Sequence, residues 1–209
     1  MAPPGGGRNP ISNRLLRHFS LLAFVELSWE CLDQIFGNIF GTFLKGSFPV
    51  EMQIVKMPVV AATIEIYHLI QEVMLPTPAK SHYTFNLRDP SKVFQGVMRG
   101  EPDTMTSPKQ MLTLWIHEMM RVFQDRLCVP KDKEWFQARL NEKLHIHCQM
   151  EYNDIVSTHH LIFADFLHPL DRRYVQVTDT MAMVRVVGEM LDDYNGATEA
   201  PMKLTMFVD

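Results

Sequence analysis

Apolar residues recur at spacings of three and four over long stretches of this chain, the period of a helix with one buried face. Leu32, Ile35, Phe36, Ile39, Phe40, Phe43 and Leu44 form one such stripe, beginning after Ser28 and ended by Gly46 and Pro49. A second helix is predicted from Met57 and Pro58, where proline is tolerated in the first turn, through Val60, Ile64, Tyr67 and Ile70 to Met74, with Pro76 and Pro78 beyond it. Asp89 and Pro90 suit the first turn of a third, which carries Val93, Phe94, Val97 and Met98. Pro108 opens the clearest helix. Leu112, Trp115, Met119, Val122, Phe123 and Leu127 point inward there, Lys109, Glu118, Arg121 and Asp125 point outward, and Pro130 closes it. A fifth helix spans about Lys131 to His147, and a last one, capped by Thr178 or Asp179, runs to Tyr194 before Asn195 and Gly196.

Between these helices the pattern changes. Met1 to Asn13 is too rich in proline and glycine for a helix or strand interior. Ser12 is placed to cap a short helix carrying Arg14, Leu15, Leu16, Arg17 and His18, and Leu21 to Val25 follow as a run suited to a buried strand. Shorter strands are expected over His160 to Phe166 and Tyr174 to Val177, with an extended piece from Ser81 to Phe85. Pattern alone predicts a mainly α protein: a helical bundle with a small strand element.

Composition narrows the partners. The 209 residues are 46% hydrophobic, enough for a real core, and the net charge of −4 comes without a basic stretch, which disfavours nucleic acid and anionic lipid. Cys31, Cys128 and Cys148 are odd in number and widely spaced, as expected in a reducing compartment, the cytosol by default. Neither a signal-peptide pattern nor an unbroken apolar run of about 18 residues is present, so a soluble protein with no membrane partner is expected. The 15 methionines suit core filling, with an adaptable binding surface as the alternative.

No complete catalytic constellation is visible. Gly5, Gly6 and Gly7 lack the Lys and Ser or Thr that a P-loop requires, since Arg8 and Asn9 follow them. Arg14 and Arg17, three apart on a short helix, can project toward a single anion, although two solvated arginines are the commoner case. Arg88 near a helix start opposes the helix dipole and wants an anion, with a neighbouring carboxylate the simplest partner. His145, His147, Cys148, His159 and His160 have metal-ligand chemistry but poor spacing, so no metal site is expected. Leu161 to Asp165 mimics a magnesium-binding strand, yet without a P-loop upstream a plain buried strand is expected. Cys128 has no histidine near it in sequence.

The stretch Leu75-Pro-Thr-Pro-Ala-Lys-Ser-His-Tyr-Thr-Phe-Asn-Leu-Arg-Asp-Pro-Ser-Lys-Val-Phe-Gln-Gly96 closely resembles the lid of the third AAA+ module of dynein heavy chains, especially axonemal ones. Pro3-Pro-Gly-Gly-Gly-Arg-Asn-Pro10 and Arg14-Leu-Leu-Arg-His-Phe19 look like the segment after the sensor-1 strand of that module. Trp115-Ile-His-Glu118, Arg121-Val-Phe-Gln-Asp-Arg126 and Leu161-Ile-Phe-Ala-Asp-Phe166 also resemble the lid, and Pro201-Met-Lys-Leu204 is similar to the entry into the fourth module.

The resemblance implies residues 1–27 as the C-terminal remnant of an α/β AAA+ large subdomain, 28–195 as the helical lid with its strand insertion, and 196–209 as a linker into the next module. By position, Arg88 matches the sensor-2 arginine, which approaches nucleotide phosphates, and its planar fork suits two phosphate oxygens. Arg14 and Arg17 match the arginine-finger region acting on the neighbouring module; which of them reaches phosphate stays open. The sensor-1 position falls at Ala2 or Pro3, neither able to orient a water. ATP or ADP with magnesium is implied in the intact motor, with none held tightly by this chain alone. Implied partners are the neighbouring AAA+ modules, intermediate and light chains and microtubules, in the cytoplasm, cytoskeleton and ciliary axoneme. A chain lacking its P-loop and magnesium-binding strand is expected to be inactive alone, with Met1 an internal residue of a longer motor. The competing reading is a standalone helical adaptor whose Met- and Phe-rich surfaces bind a protein.

Overall fold

A computed structural model describes residues 11–23, 25, 27–156, 161–167, 172–198 and 200–204. The glycine-rich opening, the sensor-1 position, Phe24, His159 and His160 lie outside the described residues. Eight helices occur among the described residues: α1 (Asn13–Leu16), α2 (Trp29–Ser47), α3 (Lys56–Val73), α4 (Arg88–Val97), α5 (Pro108–Val122), α6 (Pro130–Cys148), α7 (Tyr152–Ile155) and α8 (Thr180–Gly196).

The helical body is α2 to α6. Ser28 caps α2, its hydroxyl accepting the Cys31 N–H at 3.4 Å, and Leu32, Phe36, Phe40 and Leu44 are buried along one stripe. Ile35 and Ile39, expected in that stripe, stay exposed on its flank. A 3-10 turn, Val50–Val55, leads into α3, which packs against α2, α5 and α6 and buries residues around much of its circumference. At its centre the Trp115 indole N–H donates to Thr63 Oγ1 at 2.9 Å, and that hydroxyl donates to the Val59 carbonyl at 2.6 Å. The largest side chain in the core therefore leaves no polar atom unpaired, as burial in a low-dielectric interior demands. Although no unbroken apolar run of 18 residues occurs, Val50–Val73 contains an 18-residue window of mean hydropathy 1.2, long and apolar enough to cross a bilayer, and half of that window is buried inside the helical body.

Two prolines play the same part. Ser107 and Gln110 form a capping box at the start of α5, with Pro108 in its first turn. Pro130, expected to close that helix, instead opens α6: α5 ends at Val122, and a 3-10 turn, Gln124–Arg126, intervenes. Glu118, expected on the outer face, is 8% exposed, because the strand insertion covers that side of α5.

The insertion is smaller than the pattern suggested. β1 (Phe163–Ala164) and β2 (Val175–Gln176) pair antiparallel, Phe163 opposite Gln176 and Ala164 opposite Val175. Asp179 caps α8, accepting from Met181 and Ala182, but Met183 is the buried residue of that helix and joins only Ala164 and Val177 in a small second cluster. At the other end Leu22 is 80% and Val25 89% exposed, with no strand among the described residues of this run. Apolar sequence satisfies a strand's side chains only where a paired layer covers them. Ser12 stands at the start of α1 without a side-chain cap bond, and no residue of α1 is buried.

Candidate functional site

The loop joining α3 to α4 is held by two polar clasps. In the first, the Tyr83 hydroxyl donates to Asp132 Oδ2 at 2.8 Å and accepts the Cys128 N–H at 3.1 Å, while Lys80 Nζ reaches the same carboxylate oxygen at 2.5 Å. Burial, then the Asp132 carboxylate, pushes the Tyr83 hydroxyl up to about 12. The Lys80 bond holds Asp132 below the usual aspartate range.

In the second clasp, Arg126 grips Asp89 with both ends of its fork, Nη2 to Oδ1 at 2.7 Å and Nη1 to Oδ2 at 3.2 Å. Nη1 also donates to the Thr84 carbonyl at 3.1 Å, and the guanidinium lies 4.9 Å from the centre of the Phe85 ring. Asp89 additionally accepts the Asn86 N–H at 2.9 Å, so the carboxylate, only 3% exposed, is satisfied on both oxygens. A bidentate, desolvated pair fixes geometry as well as charge.

Arg88 emerges from the middle of this fixed loop as the first residue of α4. Its backbone N–H donates to Asn86 Oδ1 at 2.9 Å, and its side chain is exposed. The expected carboxylate partner is missing: among the described residues the Arg88 guanidinium makes no ion pair, because the adjacent Asp89 is committed to Arg126. A cleft of about 260 Å³ opens beside the helix start, lined by residues including Leu27, Leu32, Tyr67, His68 and Leu87. A guanidinium at the positive end of a helix, next to an aromatic and aliphatic cleft, can hold an anion attached to a flat apolar group.

Arg14 and Arg17 have no comparable support. Both are exposed, Arg14 on α1 and Arg17 just after it as its C-cap, the hydrogen bonds of this segment are local, and Arg17 Nε lies 3.3 Å from His18 Nε2. Neither forms an ion pair among the described residues, and no bond ties their segment to the loop carrying Arg88.

A further polar group fastens the strand insertion to α5. The Tyr174 hydroxyl donates to Glu118 Oε1 at 2.7 Å, and burial, reinforced by that carboxylate, raises the hydroxyl's pKa. The Phe163 N–H lies 3.4 Å from His117 Nε2, which therefore accepts and leaves the ring proton on Nδ1, 3.3 Å from Glu118. Asp165, the magnesium mimic, is instead the partner of Arg99 at 2.6 Å, and that guanidinium lies 4.1 Å from the centre of the Tyr174 ring. Gly96 makes room for the Glu118 side chain: a Cβ there would lie inside its carboxylate. His147 faces Glu65 at 3.1 Å and Lys143 reaches the same oxygen at 2.9 Å, and no cluster able to hold a metal occurs among the described residues.

Asp89, Arg126, Asp132 and Tyr83 were not singled out as site residues from sequence. The one signal was the cluster Asp89-Pro90 at a helix start, and nothing in the chain pattern joins it to an arginine so far downstream.

Residues 59–158 match the AAA+ lid domain family model. The chain is similar along its whole length to dynein axonemal heavy chain 1 of Rattus norvegicus, 41% identical, and to dynein axonemal heavy chain 6 of Homo sapiens, 39% identical. Against dynein axonemal heavy chain 12 of Homo sapiens it is 35% identical over 99% of its residues. It spans 5% of the length of the first two of these proteins and 7% of the third. Nothing among these matches supports a standalone adaptor.

Proposed function

We propose that this chain, an AAA+ lid segment of the axonemal dynein heavy-chain family, serves a ring-shaped, ATP-driven microtubule motor as the lid of its third AAA+ module and as part of the interface to the next module. One observation carries the reading: among the described residues Arg88 has no ion-pair partner, and it stands on a loop that two polar clasps immobilise. The neighbouring carboxylate that would neutralise it is bonded elsewhere, so the fork is available for phosphate oxygens. In this reading Arg88 is the sensor-2 residue for a nucleotide, ATP or ADP with magnesium, whose phosphate-binding loop belongs to another part of the motor. Phosphate drawn to Arg88 pulls on α4, and α4 packs against α5, so the lid moves as one body with nucleotide state.

Arg14 and Arg17 act in the other direction, toward the nucleotide of the adjacent module. There an arginine offsets charge that develops during phosphoryl transfer. Their exposed, locally bonded helix suits a group that finds its place only against a neighbouring module. Through the complete motor the partners are the other AAA+ modules, intermediate and light chains and microtubules, and the setting is the ciliary axoneme.

The test is nucleotide affinity in a longer heavy-chain segment that includes this lid and the preceding half of its module. Arg88→Ala is expected to weaken ATP binding on the order of tenfold, as loss of a charge-assisted bidentate contact does, with Arg88→Lys recovering part of it. The 209-residue chain alone is expected to hydrolyse no ATP above the blank. Unchanged affinity in Arg88→Ala, or turnover by the isolated chain, overturns the reading.

A further inference from the structure

Asn86 is an exposed residue with an unusual number of fixed bonds. Its Oδ1 accepts the Arg88 N–H at 2.9 Å, its own N–H donates to Asp89 Oδ2 at 2.9 Å, and its carbonyl accepts the Asp89 N–H at 2.9 Å. One residue thus bonds to both of the residues that open α4.

The N–H groups in the first turn of a helix find no partner within it. In α4 that leaves those of Arg88 and Asp89, since Pro90 has no N–H and the Ser91 N–H reaches the Leu87 carbonyl at 3.4 Å. Leu87, which stands at the cap position, has no side-chain acceptor to offer them. Asn86 supplies both acceptors, its side chain to Arg88 and its main chain to Asp89.

A backbone N–H can only donate, so it is the oxygen end of the Asn86 amide that faces Arg88. That acceptor carries no charge. A carboxylate in its place would hold the same N–H and also offset the charge of Arg88, whereas the amide fixes the backbone and leaves the guanidinium for an external anion. Asn86 is itself held in place, because Asp89, to which it is bonded twice, is gripped by both ends of the Arg126 fork. Bonds therefore run from Arg126 through Asp89 and Asn86 to the backbone from which the Arg88 side chain projects, beside the cleft lined by Leu27, Tyr67 and Leu87.

We propose that Asn86 is a positioning residue for Arg88: its amide oxygen sets the Arg88 backbone so that the guanidinium fork meets phosphate oxygens. This role rests on the reading of Arg88 as the phosphate-binding residue of the lid and supplies the residue that aims it. A binding group must be held to about half an ångström. The Arg88 side chain, which forms no ion pair among the described residues, has only its backbone to hold it there. Without the amide oxygen the Arg88 N–H turns to water, the turn from Asn86 to Arg88 loosens, and the fork is presented over a range of directions. The cost falls on binding and not on the core, to which the exposed Asn86 adds nothing.

The experiment titrates ATP with magnesium into the complete heavy chain that carries this segment and follows the binding component that Arg88→Ala weakens. Asn86→Ala removes the amide oxygen and leaves both main-chain bonds of residue 86 in place. It is expected to weaken that component about threefold, the size of one hydrogen bond. In the Arg88→Ala background the same change is expected to alter affinity by less than about 1.5-fold, because a residue that acts only through another adds nothing once the other is gone. Ser107→Ala is the structural control: it removes the side-chain cap of α5 and is expected to leave ATP affinity unchanged. An Asn86→Ala loss that is equal in both backgrounds, a loss matched by Ser107→Ala, or no loss at all while Arg88→Ala weakens binding overturns the positioning role and leaves the phosphate role of Arg88 standing. If Arg88→Ala itself weakens no component, the phosphate reading fails and the role of Asn86 fails with it.

Discussion

Arg88 and the pair Arg14 and Arg17 are arginines of one chain presented on opposite kinds of support. The loop beneath Arg88 is tied down by Arg126, Asp89, Tyr83, Asp132 and Lys80, all from the lid itself. Helix α1, which carries Arg14 and ends beside Arg17, buries nothing, and Leu21, Leu22 and Val25 after it are exposed. The contrast separates two ways of preparing a functional cation. Under the roles proposed above, Arg88 serves its own module and is preorganised within it, whereas Arg14 and Arg17 serve a neighbour and are completed by surfaces outside their own segment.

The comparison breaks most visibly at Arg126. Arg126→Ala leaves the buried Asp89 carboxylate with only the Asn86 N–H, and removing one partner of a buried pair costs about 3 kcal/mol or more. Urea denaturation is expected to show a loss of that size, while Arg17→Ala stays within about 0.5 kcal/mol. Equal losses would mean that the two supports do not differ.

A pH series sharpens the same point. The Asp132 pKa lies below its ordinary 3.8, so its contribution is complete above that value and is lost as pH falls through the lower folded value. The Tyr83 pKa is raised from 10.0 to about 12, so its contribution is complete below 10.0 and is lost as pH rises through the folded value. Melting temperature measured across pH should therefore fall on both flanks. Asp132→Asn should flatten the acid flank, and a variant that retains the full acid drop would remove Asp132 from the account.

The smallest effect belongs to the N-terminal segment. Leu22→Ser, at a position 80% exposed, should change stability by no more than about 0.5 kcal/mol. A loss of core size would show that this run is packed after all.

What the chain pattern disclosed, and what it hid, divides along the same physical line. Helices α2 to α6 are legible because each buries a face at helical spacing; Ser28 and Pro108 mark the starts of α2 and α5, as Asp179 does for α8. Pro130 was misread because proline stands equally well just after one helix and in the first turn of another. Glu118 was misplaced because charge predicts exposure only where nothing covers it, and here Tyr174 arrives from far along the chain. Leu21 to Val25 read as a strand since periodicity measures apolar content and not the layer that must cover it. Arg88 was legible as a cation in search of an anion. The clasps that make it available were not, because Arg126 and Asp132 meet the loop only after folding.

Gly96 and Glu118 occupy one space on facing turns of α4 and α5. Alanine at 96 would therefore require the side chain at 118 to be shortened or to swing away, and with it the anchor of Tyr174 would be lost. A change at one helix face would thus loosen the strand insertion without touching it.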